Sequence, residues 1–334
     1  MPTPALSQTN TLRVLVLGAT GTAGRAATQA LVQAGHHVTC FVRPNAATAD
    51  LPKGIEIRAG DVLSQSSMQK DGFCNEQFDV LVSCLASRNG VPADAWAIDY
   101  QAHNNALSLA IKADVKHFVL LSAICVQRPK LAFQKAKLAF EKELINSGLA
   151  YSIVRPTAFF KSLSGQVSRV QSGKPYMLFG DGTKTACKPI SDRDLGTFIA
   201  QCITDQDKRN AILPIGGPGD AITPREQGER LFAMTGKKPR YIKIPIVLIS
   251  GVRSALEALG RVSQTCADKA EFARIAHYYA TESMLVLNSD TQRYDANATP
   301  STGTDTLFDY YETLLEGSTT LSRGEHALFT DGDS

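Results

Sequence analysis

Short apolar segments rich in β-branched residues alternate with amphipathic stretches along the first half of the chain. Strands are predicted over residues 14–17, 37–42, 55–58, 79–85, 118–122 and 151–155. Helices are predicted over residues 25–34, 96–113 and 131–146, with Trp96, Tyr100, Leu107 and Ile111 as buried positions of the second. Strands that alternate with helices are typical of α/β proteins with a parallel sheet. We therefore predict a Rossmann-type, doubly wound parallel sheet.

The pattern changes after residue 155. Helices are predicted over residues 159–174, 191–203 and 246–262 and from Thr223 onwards, and a strand over 210–215 returns to the sheet. We expect a flexible N-terminus (1–11), a cofactor domain (12–155, rejoined by 191–215), a smaller α/β substrate-binding lobe (156–190 and 216–317) and a tail (318–334). The apolar stripe of the helix over 246–262, formed by Leu248, Val252, Leu256 and Leu259, is expected to pack on the core or on a second copy rather than on a membrane. The oligomeric state stays open.

Composition excludes several functional classes. The chain has 334 residues and a net charge of only +3, without clustered basic residues, so we expect no nucleic-acid partner. The seven cysteines are scattered and mostly lie in apolar runs, which favours buried, reduced thiols over disulfides or a metal site. No secretory signal or bilayer-spanning run is present, so we expect a soluble protein of the cytoplasm, or of the plastid stroma if the chain is a processed form.

Three glycines follow the first predicted strand at the spacing G-x-x-G-x-x-G. Gly18 is placed for a tight turn, Gly21 for close approach of a diphosphate, and Gly24 for packing of the helix on the strand. The free amides and positive dipole end of the helix face the phosphates. We predict a dinucleotide site formed by these glycines with the interleaved Thr20 and Thr22.

The end of the second strand indicates the choice of cofactor. NAD-preferring sites usually place a carboxylate there, but no Asp or Glu precedes Asp50 in this chain. Arg43 occupies that place and is suited to pair with a 2′-phosphate, and Arg25 is a possible second partner. NADPH is therefore the predicted cofactor. Asp61, after the third strand, either accepts a hydrogen bond from the adenine amino group or caps its own turn.

The predicted helix over 131–146 carries the candidate chemistry. Short-chain dehydrogenases have Tyr-x-x-x-Lys on this helix; here the lysine is Lys137, but Phe133 replaces the tyrosine and cannot donate a proton. Ser122 ends the fifth strand, where such enzymes carry a hydroxyl partner, and Pro156, which closes the sixth, is expected beside the cofactor. Lys137 and Ser122 are the predicted catalytic residues.

Longer runs of sequence are more specific than these motifs. The chain resembles the NADPH-dependent divinyl chlorophyllide 8-vinyl reductases, atypical short-chain dehydrogenases of the NmrA/isoflavone-reductase-like group. The resemblance covers about residues 12–329, and Phe133 is expected in that family. The runs that carry it are FVLLSAICVQRP (118–129), FQKAKL (133–138), YSIVRPTAFFKSL (151–163), PYMLFGDGTKTACKPIS (175–191), LPIGGPG (213–219), TGTDTLFDYYETLLE (302–316) and GEHA (324–327).

The resemblance implies reduction of the 8-vinyl group of a divinyl (proto)chlorophyllide to ethyl, a step of chlorophyll biosynthesis. Hydride adds to one vinyl carbon, the macrocycle takes up negative charge, and a proton reaches the other carbon, so no phenol is needed. Lys137 is then expected to orient the nicotinamide ribose and to stabilise this charge. Phe159 and Phe160 are candidates for stacking on the tetrapyrrole. The candidates for its carboxylate, chosen by charge alone, are Lys161, Arg88 and Arg128.

Two other functions remain open at this point. One is a non-catalytic NADP-binding sensor or assembly factor of the NmrA type, and the other is a reductase of another conjugated alkene or a quinone. Lys137 and the reductase-like runs argue against the first. The second differs from a vinyl reductase only in its substrate, so a comparison of substrates distinguishes the two.

Overall fold

The computed structural model describes residues 11–88, 90–260 and 264–318. Its centre is a seven-stranded sheet in the order β3-β2-β1-β4-β5-β6-β8. The strands are β1 (Arg13–Leu17), β2 (His37–Val42), β3 (Glu56–Ala59), β4 (Val80–Ser83), β5 (His117–Leu121), β6 (Ala150–Pro156) and β8 (Ala211–Ile215). All neighbouring strands are parallel. The predicted fold class is confirmed.

Helices cover the sheet and build the C-terminal part of the chain. The α-helices are α1 (Thr22–Gln33), α2 (Gln65–Ser67), α3 (Pro92–Ala95), α4 (His103–Lys112), α5 (Ala132–Asn146), α6 (Phe160–Leu163), α7 (Val167–Gln171), α8 (Asp192–Thr204), α9 (Pro224–Met234), α10 (Ile246–Gly260), α11 (Gln264–Thr281) and α12 (Leu307–Leu315). Two segments are π-helical, Met68–Phe73 and Trp96–Ala102, and two are short 3-10 helices, Ile124–Gln127 and Gln206–Lys208.

The first strand shows why its sequence is an unbroken apolar run. Val14 and Val16 belong to the core cluster that contains Leu31 of α1. Leu15 and Leu17 point to the other face and join the cluster that contains Phe140 of α5. A strand buried on both faces cannot alternate apolar with polar residues, because both sides meet a helix layer.

The C-terminal half of the main sheet follows the prediction. Helix α8 begins after Ser191, whose Oγ accepts a hydrogen bond from the amide of Asp194 at 3.0 Å. Strand β8 lies beside β6, which confirms the returning strand. Helix α9 begins with Pro224 and has a capping box formed by Thr223 and Glu226.

Two predicted helices are wrong in detail. The segment 96–113 is a π-helical turn followed by α4, and it buries Leu107 but leaves Trp96 44% and Ile111 50% exposed. The segment 159–174 is broken into α6 and α7. The break follows from Ser164, whose hydroxyl donates to the carbonyl of Phe160 at 2.6 Å and thereby competes with the helical ladder.

Four short strands in the C-terminal part were not predicted. Strand β7 (Tyr176–Phe179) pairs in parallel with β9 (Tyr241–Ile244), and β10 (Val286–Leu287) pairs antiparallel with β11 (Tyr294–Asp295). These strands have two to four residues each, too few for a periodic signal. The division of the chain into a cofactor domain and a substrate lobe stays a proposal.

Helix α10 extends to Gly260, close to the predicted end. Leu248 of its predicted apolar stripe is 60% exposed, so this position does not pack on the core, and packing on a second copy stays a prediction. The side chains of Val252 and Leu259, residues 1–10 and residues 319–334 lie outside the described part, and so do the predictions made for them. Within the described residues, no helix is both long and apolar enough to span a bilayer.

The cysteines agree with the prediction of reduced, mostly buried thiols. Six have described side chains, and all six are free. The buried ones are Cys40, Cys84, Cys125, Cys187 and Cys202, and Cys74 is exposed.

Candidate active site

The three glycines form the turn between β1 and α1. Gly18 has a φ of +78°, and a Cβ there would lie 2.7 Å from the backbone of Cys84. A Cβ on Gly24 would lie 2.0 Å from the carbonyl oxygen of Gly18, whereas one on Gly21 meets that oxygen at an ordinary 3.5 Å. Gly18 and Gly24 are therefore needed for packing, and Gly21 is not.

The turn has the form of an anion cradle. Helix α1 begins at Thr22 with Gly21 as its N-cap, and no side chain of the described residues caps it. Its first amides are therefore available to a ligand, and the helix dipole favours a negative charge there. The bare backbone at Gly21 leaves room for a diphosphate. These residues fit the predicted dinucleotide.

A cavity of about 510 Å³ opens in front of this turn, at the carboxyl edge of the sheet. This edge is where α/β proteins bind their ligands. The predicted site residues that line it are Thr20, Gly21, Thr22, Gly24, Ser122, Lys137, Pro156, Phe159 and Lys161. The structure thus brings most of the predicted set together around one space, while Gly18, Arg43, Asp61 and Phe160 lie outside its lining.

The residues predicted to choose the cofactor lie at the ends of β2 and β3. Arg43 is exposed directly after β2, which neighbours β1. Arg25 instead pairs with Asp50 at 2.7 Å. Asp61 accepts a hydrogen bond from the amide of Leu63 at 2.9 Å, so it caps its own turn. The geometry therefore leaves Arg43 as the main candidate for a 2′-phosphate.

Lys137 has an acidic partner that sequence reasoning missed. Its Nζ lies 3.0 Å from Oδ1 of Asp99, and the two side chains are 9% and 0% exposed. The other carboxylate oxygen of Asp99 accepts a hydrogen bond from the hydroxyl of Ser87 at 2.6 Å. A buried charge is costly unless it is paired and hydrogen-bonded, and this arrangement satisfies both conditions. All three residues line the cavity.

The neighbouring titratable groups are held neutral. Burial, reinforced by the positive charge of Lys137, lowers the pKa of His103 to about 4. Burial raises the pKa of Cys84 to about 12 and that of Cys125 to about 11. At neutral pH the Lys137–Asp99 pair is therefore surrounded by an uncharged imidazole and uncharged thiols.

Ser122 belongs to a different network. Its hydroxyl donates to Oε1 of Glu141, a residue of α5 that is 2% exposed. The same carboxylate accepts hydrogen bonds from Arg155 on β6. Because the one hydroxyl hydrogen of Ser122 is used by Glu141, we propose that Ser122 ties β5 to α5 rather than transferring a proton.

The two adjacent phenylalanines have different surroundings. Phe159 lines the cavity. Phe160 is 4% exposed and belongs to the core cluster of the C-terminal part, with its ring centroid 5.8 Å from that of Tyr310. We therefore keep the stacking proposal for Phe159 and withdraw it for Phe160. Phe133, at the place of the usual tyrosine, lines the cavity and is 6% exposed.

Most of the cations that were predicted, by charge alone, to bind the carboxylate of the substrate have other partners. The Nζ of Lys161 lies 3.0 Å from the hydroxyl of Thr22, at the phosphate end of the cavity. Arg128 donates to the carbonyl of Gln292 at 2.6 Å and pairs with Glu282 at 3.2 Å. Arg88 is exposed and does not line this cavity. Among the residues that the structure describes, no cluster of His, Cys, Asp and Glu has the arrangement of a metal site.

The parallel sheet, the glycine turn and the cavity define an NAD(P)H-binding protein of the Rossmann type, and a family model described as NAD(P)H-binding matches residues 18–206. The chain is 46% identical over 332 residues to the chloroplastic divinyl chlorophyllide a 8-vinyl-reductase of Cucumis sativus, and the match covers 95% of this chain and 79% of that protein. The chain belongs to the divinyl chlorophyllide a 8-vinyl-reductase family.

The chain also has more distant similarities, one to a relative by sequence and one to a solved structure. The photosystem II assembly factor Ycf39 of Synechocystis sp. is 24% identical over 245 residues, which are 73% of this chain and 74% of that one. The complex of leucoanthocyanidin reductase with NADPH from Vitis vinifera has a TM-score of 0.66 and 13% identity, with 91% of this chain and 99% of that one covered. The latter similarity shows the fold alone.

Proposed function

We propose that this chain catalyses the NADPH-dependent reduction of the 8-vinyl group of divinyl chlorophyllide a to an ethyl group. The observation that carries the proposal is 46% identity, over 95% of the chain, to a reductase named for that reaction. The cavity at the carboxyl edge of the sheet supports it, because it joins a dinucleotide cradle to an apolar wall. The cytoplasm of a phototrophic bacterium and the plastid stroma are the compartments we propose for it.

The phosphate-binding end of the site consists mainly of backbone. The turn at Gly21 and the first turn of α1 bind the diphosphate, and the guanidinium of Arg43 pairs with the 2′-phosphate. Bound NADPH supplies a hydride. In this proposal Pro156 and Thr20 border the cofactor, while Lys161 and Thr22 close the phosphate end.

Lys137 acts at the other end of the site. Its ammonium, fixed by Asp99, contacts the nicotinamide ribose and stabilises the negative charge that develops on the macrocycle after hydride addition. One proton must then reach the second vinyl carbon. We propose that it passes from Nζ of Lys137, directly or through water, and that Asp99 and Ser87 hold that nitrogen in place.

The missing tyrosine fits this chemistry. A carbonyl reductase needs an acid at the carbonyl oxygen, but a conjugated alkene places its negative charge on the ring system. Phe133 and Phe159 both line the cavity, and flat aromatic surfaces pack well against a tetrapyrrole. The proposed substrate class and the loss of the phenol are therefore consistent.

The direct test is anaerobic incubation of the purified protein with divinyl chlorophyllide a and NADPH, without ferredoxin or flavin. A mass gain of two hydrogens at the 8-vinyl position, found by chromatography and mass spectrometry, is the expected result. The matched control is Lys137→Met, which keeps the length of the side chain and removes its charge. An unchanged pigment with wild-type protein that binds NADPH would overturn the proposal.

The similarity to an assembly factor motivates one alternative, a non-catalytic NADP-binding protein. It predicts NADPH binding without turnover of any pigment. Another alternative, a reductase of a different conjugated alkene or of a quinone, predicts turnover of such substrates and none of divinyl chlorophyllide. The same incubation, repeated over a panel of substrates, separates all three.

A further inference from the structure

A second cavity, of about 700 Å³, adjoins the first, with which it shares two lining residues. Its lining includes five basic side chains and one carboxylate, namely Arg128, Lys130, Lys184, His277, Arg293 and Glu282. Lys184 and Glu282 line both cavities, so they mark the boundary between them. The proposed substrate site therefore opens towards a basic surface.

The single carboxylate of this basic cavity is already fully used. Glu282 accepts hydrogen bonds from Lys130 at 2.5 Å and from the hydroxyl of Tyr294 at 2.8 Å, and it pairs with Arg128 at 3.2 Å. Burial raises the pKa of Glu282, but the bonds from Lys130 and Tyr294 outweigh this effect and lower it, so the group stays ionised. Two cations thus share one negative charge.

Lys184 and Arg293 add two further positive charges. Both side chains are exposed, and no carboxylate of the described residues pairs with either of them. The nearby Asp181 uses its Oδ1 to accept from the amide and the hydroxyl of Thr183. The basic cavity therefore has an excess of positive charge, which favours an anionic ligand.

We propose that Lys184 and Arg293 bind the propionate carboxylate of the chlorophyllide, an inference that rests on the proposed function. The free propionate is on the pyrrole ring diagonally opposite the ring that carries the 8-vinyl group. When that vinyl group lies near Lys137 in the first cavity, the carboxylate lies a full macrocycle away from Lys137. Lys184 stands at that boundary, and Arg293 lies in the adjoining basic cavity.

This assignment gives the enzyme a preference for the free acid over esterified pigment. Lys161 does not compete for the role, because its ammonium is bonded to Thr22 at the phosphate end. A tenfold change in affinity corresponds to about 1.4 kcal/mol, which is within what two partly exposed charge pairs contribute together.

The test compares divinyl chlorophyllide a with its propionate methyl ester as ligands of wild-type protein, Lys184→Gln, Arg293→Gln and the double variant. Binding is measured by pigment fluorescence, independently of turnover, and KM and kcat are measured where turnover occurs. The matched control is Lys112→Gln, an exposed lysine in the last turn of α4 that lines neither cavity.

The double variant should bind the free acid about tenfold more weakly and raise its KM by the same factor, with kcat within about twofold of wild type. Ester binding should be equal in all variants, and Lys112→Gln should behave as wild type. Equal affinity of wild type and double variant for the acid would overturn the propionate site even if the vinyl reduction proceeds. Tight, acid-selective binding without any reduction would instead overturn the proposed function and leave the site intact.

Discussion

The ammonium of Lys137 and the carboxylate of Asp99 form a buried ion pair 3.0 Å long that faces the cofactor cavity. The lysine comes from α5, and the aspartate comes from the π-helical turn Trp96–Ala102. The two helices thus place opposite charges in contact, and each charge compensates the desolvation of the other. Asp99 acts through Lys137, so we regard it as a positioning residue.

Asp99→Asn should lower kcat by about two orders of magnitude, because the amide keeps the shape of the carboxylate but removes the charge that fixes Lys137. Steady-state kinetics of the folded variant measure this loss of kcat. Asp94→Asn is the matched control, since Asp94 accepts only from the amide of Arg88 in the described contacts. An unaltered kcat in Asp99→Asn would contradict the positioning role.

Gly21→Ala and Gly24→Ala should fail in different ways. A Cβ at position 24 would lie 2.0 Å from a backbone oxygen, so Gly24→Ala should unfold or lose several degrees of Tm. A Cβ at position 21 meets an ordinary 3.5 Å contact, so Gly21→Ala should fold normally and bind NADPH at least about tenfold more weakly. Thermal melts and NADPH titrations separate the two effects. Normal NADPH affinity in Gly21→Ala would argue against the cradle.

The sheet could be predicted from sequence because its strands are apolar on both faces and its turns carry glycine. The site could be predicted only where one local motif defines it, as at Gly18–Gly24 and Lys137. Asp99 was missed, although Ala95, Asp99 and His103 share the buried face of their helix. The apolar pattern instead placed Trp96 and Ile111 on the buried face, because large apolar residues are usually inside a protein. Carboxylates are rarely buried, so the pattern gave no reason to place Asp99 there.

The basic cavity could not be predicted for another reason. Its lining residues come from five separate parts of the chain, and no local spacing connects Lys184 with Arg293. The same holds for Glu141, which looks like a surface residue of α5 until Arg155 and Ser122 are found beside it. Such clusters depend on tertiary packing, and a periodicity along the chain does not encode them.

Arg43→Ala should raise the Kd for NADPH about tenfold to a hundredfold and leave the Kd for NADH nearly unchanged. The reason is that a hydrogen bond to a charged group contributes about 1.5–3 kcal/mol and only NADPH carries the 2′-phosphate. Fluorescence titration with both cofactors measures the ratio. Arg25→Ala is the comparison variant, and it should change the ratio less, because Arg25 pairs with Asp50. An equal loss for NADPH and NADH in Arg43→Ala would exclude the 2′-phosphate contact.

Ser122→Ala should reduce stability by about 1–3 kcal/mol and leave kcat within about threefold of wild type, because its hydroxyl serves Glu141. Glu141→Ala should cost more, about 3–5 kcal/mol, since it leaves Arg155 without its buried counter-charge. Urea unfolding and steady-state kinetics distinguish the two properties. A folded Ser122→Ala protein with a large loss of kcat would restore the catalytic role expected from sequence.

Two of the buried histidines, His103 and His117, should make the protein less stable at mildly acidic pH. Burial lowers the pKa of His103 and of His117 to about 4 each, from an ordinary value of 6.5. In His117 the Nε2 is hydrogen-bonded to the hydroxyl of Ser152 at 2.9 Å, while Nδ1 has no hydrogen-bond partner among the described atoms.

Between pH 4 and 6.5 the unfolded chain binds protons at these histidines and the folded chain does not. Stability is therefore complete above about pH 6.5 and is lost progressively towards pH 4, by up to about 3 kcal/mol for each histidine. Urea unfolding at pH 7.5, 6.0 and 5.0 measures the loss. His117→Gln, which keeps a donor for Ser152 but cannot be protonated, should flatten the pH dependence, whereas His37→Gln at an exposed site should not. Equal slopes in wild type and His117→Gln would show that His117 is not responsible.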